Sequence, residues 1–248
     1  MRSVESYCRL VVSGALLCLP IWAPDAFALR PYDSTDASVA GPGEFELELG
    51  PVGYLREGPQ KSFIAPAVIA NFGISGDREI VLEGKLKTLQ GDFSEGYRTS
   101  LVDTALSLKQ VHRRGSLQDG IGPSVASECG ILLPTIHGES GAGASCAGIV
   151  SQRWSAATVH LNGALARTRA HTWNRFLGVI IEGPYEWRVR PVMEIIAARD
   201  TGGSRTNSAL VGMIWRSREK LSFDVGVRAA RSNDQNISEI RAGFTWSF

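Results

Sequence analysis

The chain has 248 residues, 44% of them hydrophobic and 21% charged, with 26 Lys and Arg against 25 Asp and Glu. Its mean hydropathy of -0.03 excludes a multi-span helical membrane protein, which needs several apolar runs of roughly 20 residues. The balanced charge lacks the strongly basic footprint of a nucleic-acid-binding domain, and there is enough apolar material to exclude a disordered chain.

The first segment reads as a secretory signal peptide, residues 1–28. Arg2 and Arg9 charge its start, Leu10 to Trp22 is almost wholly apolar, and Ala26-Phe27-Ala28 offers a small-residue cleavage site. The apolar run is too short to span a bilayer as a helix. A lipoprotein signal at Cys18 is disfavoured by Leu17 before it, where a small residue is expected. Export removes Cys8 and Cys18 and leaves Cys129 and Cys146 in an oxidising compartment, where a cross-strand disulfide is expected. Two cysteines without histidines at ligand spacing give no zinc site, and nothing in the sequence calls for a cofactor.

Residues 29–43 are rich in Asp, Ser, Pro and Gly and read as a periplasmic lead-in ahead of the domain at 44–248. From Glu44 onward the period is two. Glu44-Phe45-Glu46-Leu47-Glu48-Leu49 alternates without a break, and Leu221, Phe223, Val225 and Val227 alternate with Ser222, Asp224, Gly226 and Arg228. Residues two apart line one face of a strand, so each segment has an apolar face and a polar one. Further strands are expected near 63–73, 78–88, 98–112, 122–134, 145–154, 156–168, 172–183, 187–199, 206–217 and 237–248. About twelve long strands result, with ten or fourteen as alternative counts. Strands of globular proteins cluster near five or six residues, whereas a tilted membrane strand needs about 9 to 11. Long polar connections are expected at 57–62, 90–97, 135–144, 200–205 and 232–236, alternating with tight turns. Arg113 to Ile121 breaks that alternation by being long where a short turn is expected.

The last segment carries the clearest local signal. Ile240, Ala242, Phe244, Trp246 and Phe248 occupy alternate positions, and the chain ends on phenylalanine. This resembles the C-terminal signature of bacterial outer-membrane β-barrels, which the barrel-assembly machinery reads for insertion. Phe244, Trp246 and Phe248 would then form part of an aromatic girdle at the membrane interface. The fold expected is all-β: a closed antiparallel transmembrane barrel in the outer membrane of a Gram-negative-type bacterium, in contact with its lipid.

Several segments also resemble the outer-membrane transporter-like family named for the MetA pathway of phenol degradation. They are RPYDSTDASVAGPGEFELELG (Arg30 to Gly50), LVDTALSLK (from Leu101), GILLPT (from Gly130), VHLNGAL (from Val159), LSFDVGVR (from Leu221) and the final AGFTWSF, in the same order. The resemblance implies a channel or porin-like barrel, sometimes tied to uptake of aromatic compounds.

If Ile80, Leu82 and Leu86 face lipid, then Glu83, Lys85 and Lys87 face inward. The same parity places Glu44, Glu46, Glu48, Asp103, Lys109, His160, Asn162, Arg188, Arg190, Glu194, Asp224, Arg228 and Arg241 inside. Both signs are present, so a narrow lumen partly spanned by salt bridges is expected instead of a ring of one charge. Solvation by lumen water is the plainest account of each charge. Arg241 on the last strand is placed to pair across the closing seam with the acidic first strand.

Enzymatic alternatives are weaker. His137-Gly138-Glu139-Ser140 gathers triad-type residues in a Gly-rich loop with nothing to orient them, and the remaining histidines are His112, His160 and His171. A triad is defined by geometry, and no G-x-S-x-G, P-loop or H-E-x-x-H motif occurs. The leading reading is a non-enzymatic channel for a small solute. The alternatives are a plugged barrel with a structural or interaction role, and a lipid-modifying hydrolase using His137 or His160. A filled lumen would overturn the channel reading.

Overall fold

The computed structural model describes residues 30–91 and 98–248; the signal segment and most of the connection at 90–97 lie outside them. Twelve antiparallel strands close into a barrel. They are β1 (Phe45–Glu57), β2 (Gln60–Ser75), β3 (Arg78–Gln90), β4 (Thr99–Arg113), β5 (Ser124–Leu132), β6 (Gly143–Arg153), β7 (Thr158–Arg167), β8 (Trp173–Glu182), β9 (Val189–Asp200), β10 (Arg205–Arg218), β11 (Leu221–Ser232) and β12 (Gln235–Ser247). Each strand pairs with its neighbours in sequence, and β1 meets β12. Glu46 lies opposite Ser247 and Glu57 opposite Ile237. Phe45 and Phe248 exchange both backbone hydrogen bonds at 3.0 and 2.9 Å, so the seam is sealed to its end.

Alternation becomes two environments. Along β8, Leu177, Val179 and Ile181 point outward and exposed, while Gly178, Ile180 and Glu182 point inward and buried. Two strand prolines fall where the ladder is already broken: Pro51 at the β1 register shift and Pro66 at the one in β2. Bulges accept a residue that cannot donate to the ladder. Cys129 and Cys146 are directly opposed on β5 and β6 and form the expected disulfide. Both are exposed on the outer face.

Both ends of the barrel chain lie at one rim, here the terminal end; the opposite rim is the loop end. Two connections expected to be long are tight. Residues 58–59 and 233–234 close hairpins, because Gly58 (φ 57°) and Asn233 (φ 52°) adopt left-handed backbone, the geometry that two-residue hairpins require. The longer loop-end connections are 91–98 and 133–142. The connection 114–123, at the terminal end, is long as expected, but it folds back on the barrel. Its 3-10 turn at Ser116–Gln118 buries Leu117 against Ala126 and Ile149.

Phe244, Trp246 and Phe248 belong to an aromatic belt at the terminal end. Trp215 stacks on Phe223 at 5.5 Å, Phe223 meets Phe244 at 6.3 Å, and Phe248 contacts both Trp246 (5.0 Å) and Phe45 (5.2 Å).

Val211, midway along β10 and 57% exposed, stands in the outward apolar band. Val211→Arg is expected to destabilise the barrel by ~2–4 kcal/mol in lipid, and Val211→Ala by much less. Urea titration of the protein folded into vesicles measures this. A soluble sheet would tolerate the arginine with almost no effect, so a neutral result sinks the lipid-facing assignment.

Candidate functional site: the lumen and the N-terminal segment

The lead-in is drawn inside the barrel, not held ahead of it in the periplasm. Residues 30–43 enter at the terminal end and run around the inner wall, touching strand after strand in order. Gly43 and Glu44 pair with Gly73 on β2. The Ala40 amide donates to Glu79 on β3 at 2.7 Å. Asp36 pairs with Lys109 on β4 at 3.3 Å, and the Ala37 amide donates to Ser151 Oγ on β6 at 3.0 Å.

The circuit continues to the seam. Asn162 on β7 accepts the Thr35 amide at 3.2 Å and donates to the Thr35 carbonyl at 2.8 Å. Glu194 on β9 accepts the Asp33 and Ser34 amides at 2.9 and 2.8 Å. Tyr32 packs among Ile180, Val192, Leu210 and Ile214. Arg30 reaches Asp224 on β11 at 3.4 Å. Inward-facing side chains thus supply to the segment the hydrogen bonds that water or a sheet neighbour would otherwise provide, as buried backbone requires.

Glycines in the wall make room for it. A Cβ added at Gly50 or Gly243 falls on the Arg30 guanidinium, one at Gly178 on Ser34 Oγ, and one at Gly73 on the Gly41 carbonyl. Strand interiors lose stability from glycine, and its use there marks the close approach of another backbone or ligand.

Most of the residues assigned to the lumen by parity are there. Glu46, Glu48, Lys109, His160, Asn162, Arg190, Glu194 and Asp224 are buried inside the wall. Glu83, Lys85, Asp103, Arg228 and Arg241 line the central cavity. Lys87 pairs with Glu57 at 2.6 Å near the loop end, and Lys85 pairs with Asp103 at 3.3 Å. Two placements differ. Glu44 sits at the strand entrance, where its carboxylate accepts the Gly41 amide at 2.9 Å. Arg188 lies in the β8–β9 turn, exposed, one residue short of the strand, and donates to the Ser217 carbonyl.

Charges inside are paired more than solvated. Lys109 serves Asp36 and Glu79, and Arg190 serves Glu182 at 3.4 Å. Arg228 and Arg241 both clasp Glu239 at 2.8 Å and reach Asp33 at 3.8 and 2.7 Å. Arg241 therefore pairs with the lead-in and its own strand, while Glu46 and Glu48 on the first strand take their hydrogen bonds from Asn71 and Ser247. Glu79, Glu182 and Glu239 share the inward parity of their strands and were readable on that rule. The role of Asp33 and Asp36 was not, because nothing local marks a partner so distant in sequence.

His137 and Glu139 turn to different partners: the imidazole to the Thr99 carbonyl at 3.3 Å, the carboxylate to Arg169 at 3.8 Å. Ser151, His160 and Glu182 do line up, with Ser151 Oγ 2.8 Å from His160 Nδ1 and Glu182 3.7 Å from Nε2. All three are buried, and the serine oxygen already accepts the Ala37 amide. The group anchors the segment instead of presenting a nucleophile. Among the described residues no cluster of His, Cys, Asp and Glu is placed to hold a metal ion.

Between the segment and the wall remains a cavity of about 580 Å³. Glu83, Lys85, Asp103, Glu128 and Arg169 give it both signs of charge, and Leu55, Ile64 and Ala67 form an apolar strip on β1 and β2.

No family model matches this chain, and no curated protein matches it. Solved structures do. A COG4313 outer membrane channel from Pseudomonas putida F1 superposes with a TM-score of 0.66 at 9% identity, over 88% of this chain and 100% of that one. The KdgM porin superposes with a TM-score of 0.51 at 11% identity, over 83% and 99%. These likenesses establish that the chain has the fold of outer-membrane barrels.

Asp33 and Asp36 are buried, which alone would raise their pKa. The guanidinium of Arg241, seconded by Arg228, instead holds Asp33 well below the usual carboxylate range, and Lys109 lowers Asp36. A depressed folded-state pKa contributes stability that is complete above the unfolded value near 4 and is lost as pH falls through the folded value. Loss of the Asp33 and Asp36 ion pairs is therefore expected to weaken the seating of the segment below about pH 4. Hydrogen exchange of the 30–38 peptide, corrected for intrinsic rate, reports it; protection that persists undiminished to pH 2 counts against these ion pairs as the anchor.

Proposed function

We propose that the protein is an outer-membrane channel-type barrel, passing small solutes along a narrow mixed-charge lumen that its own N-terminal segment constricts. The observation that carries this reading is the cavity left beside the segment, lined by charges of both signs and by an apolar strip. Carboxylates and bases in similar number favour weak ion selectivity over a single-sign filter. The strip of Leu55, Ile64 and Ala67, with Lys85 beside it and Arg169 in the same cavity, suits small amphiphilic solutes, a polar group on an apolar body. The aromatic compounds implied by the MetA-pathway resemblance fall in that class. Export by the signal segment, the aromatic terminal strand and the outward apolar band support the outer membrane as its location.

A specific observation favours the plugged barrel as the second reading: the segment is bound around the whole inner circuit, with ion pairs at Asp33 and Asp36.

Planar-bilayer recording separates them. The mature protein is expected to show small, steady conductance, and removing residues 30–41 to raise it severalfold, because the segment fills much of the cross-section. A silent native protein that conducts only after the deletion supports the plug. Silence from both ends the channel reading.

A further inference from the structure

The outer face at the loop end carries a band of arginines that the lumen does not use. In β8, β9 and β10, Arg175 lies directly opposite Arg199, and Arg199 directly opposite Arg205. All three are exposed and share the outward parity of Leu177, Ile195 and Val211. Arg167 on β7 and Arg231 on β11 extend the band, the first over the Trp173 ring at 5.7 Å.

Such a row is unfavourable by itself. Residues opposed across an antiparallel pair lie about 5 Å apart, and like charges in that position destabilise the sheet. Counter-charge is scarce. Arg231 has Asp234 at 3.4 Å, and Arg199 is held by the Asn207 amide oxygen at 3.1 Å and by backbone carbonyls. Among the described residues, no hydrogen bond or ion pair engages the guanidinium of Arg175 or of Arg205. The row also lies within three residues of the loop-end termini of β8, β9 and β10, beyond the apolar outward positions Leu177, Ile195 and Val211. A lipid's headgroup sits at that level, and arginine forks match phosphate oxygens bidentately.

We propose that this arginine row binds the phosphates of a phosphorylated glycolipid of the lipid A type in the outer leaflet. The acyl chains would lie along Leu177, Ile195 and Val211, with the phosphates across Arg175, Arg199 and Arg205. The inference rests on the outer-membrane reading, in which the rim opposite the two chain ends faces outward. It does not rest on solute passage.

Native mass spectrometry of the full mature barrel in detergent tests it, with bis-phosphorylated lipid A, phosphatidylglycerol and inorganic phosphate as probes. Binding of lipid A is expected, weakened about tenfold or more in R175Q/R199Q/R205Q, since each lost fork removes charge-assisted hydrogen bonds. Phosphatidylglycerol and inorganic phosphate are expected to bind at least tenfold more weakly than lipid A to the native protein. R78Q, a change at the other rim, should leave lipid A binding intact. Heat-dependent gel migration confirms folding, and R205Q alone serves if the triple variant does not assemble. Equal lipid A binding by the folded variant overturns the site. Equal binding of phosphatidylglycerol or inorganic phosphate, or an equal loss in R78Q, overturns its assignment to this glycolipid. Conductance is read separately, so loss of the channel reading leaves this result standing.

Discussion

Backbone N–H and C=O groups find no partners in hydrocarbon, and leaving them unpaired costs several kcal/mol each. A sheet can tolerate that medium only by closing on itself, and the β1–β12 seam is where this chain does so. Everything else in the structure is a consequence of closure. Once edges are gone, each strand has one outer face and one lumen face, and the alternation of the sequence sorts onto them. Outward positions become an apolar band with aromatic residues at its terminal rim. Inward positions inherit the charges.

Charges inside a closed barrel face a harder problem than charges on a surface. Desolvation of an ion costs several kcal/mol even after relaxation, and it is offset only where geometry supplies a partner and hydrogen bonds. A wide pore solves this with water. Here the N-terminal segment takes over much of that role: Asp33 satisfies Arg228 and Arg241, Asp36 satisfies Lys109, and Arg30 satisfies Asp224. In return Glu194 and Glu79 receive the segment's amides. Segment and wall complete each other, and neither set of groups would be satisfied alone in a dry interior. Removing one side leaves buried charge, the arrangement that breaks at the highest cost.

The strands and the inward face were legible in the sequence because parity is a local property that survives small errors in boundaries. Its failure at Arg188 shows the limit: a strand that begins at Val189, two residues later than expected, leaves that side chain in a turn. Loop lengths were misread at 57–62 and 232–236 for a different reason. Polar composition there looks like a long loop, while the backbone signs at Gly58 and Asn233 close the chain in two residues. The lead-in was the larger miss. Its Asp, Ser, Pro and Gly content is that of any exposed connection, and what fixes it is complementarity at long range. Asp33 and Arg241 are separated by 208 positions, and no window along the chain contains both.

A signal for the docked segment was nevertheless present in the glycines. Gly50, Gly178 and Gly243 occupy inward parity in strands that elsewhere carry charged side chains at inward positions, Glu48, Glu182 and Arg241. In a water-filled lumen such positions have no need of glycine, which weakens a strand. In this barrel they are where Arg30 and Ser34 approach the wall. Small residues at inward parity, in a strand long enough to span lipid, therefore carry information that the period-two pattern alone does not. They mark an interior that is occupied by chain and not only by water. The same logic runs in reverse on the outer face, where Arg175, Arg199 and Arg205, opposed across β8, β9 and β10, break the apolar parity. In both places the departure from alternation points to a second body against the wall, a peptide segment inside and a charged lipid headgroup outside.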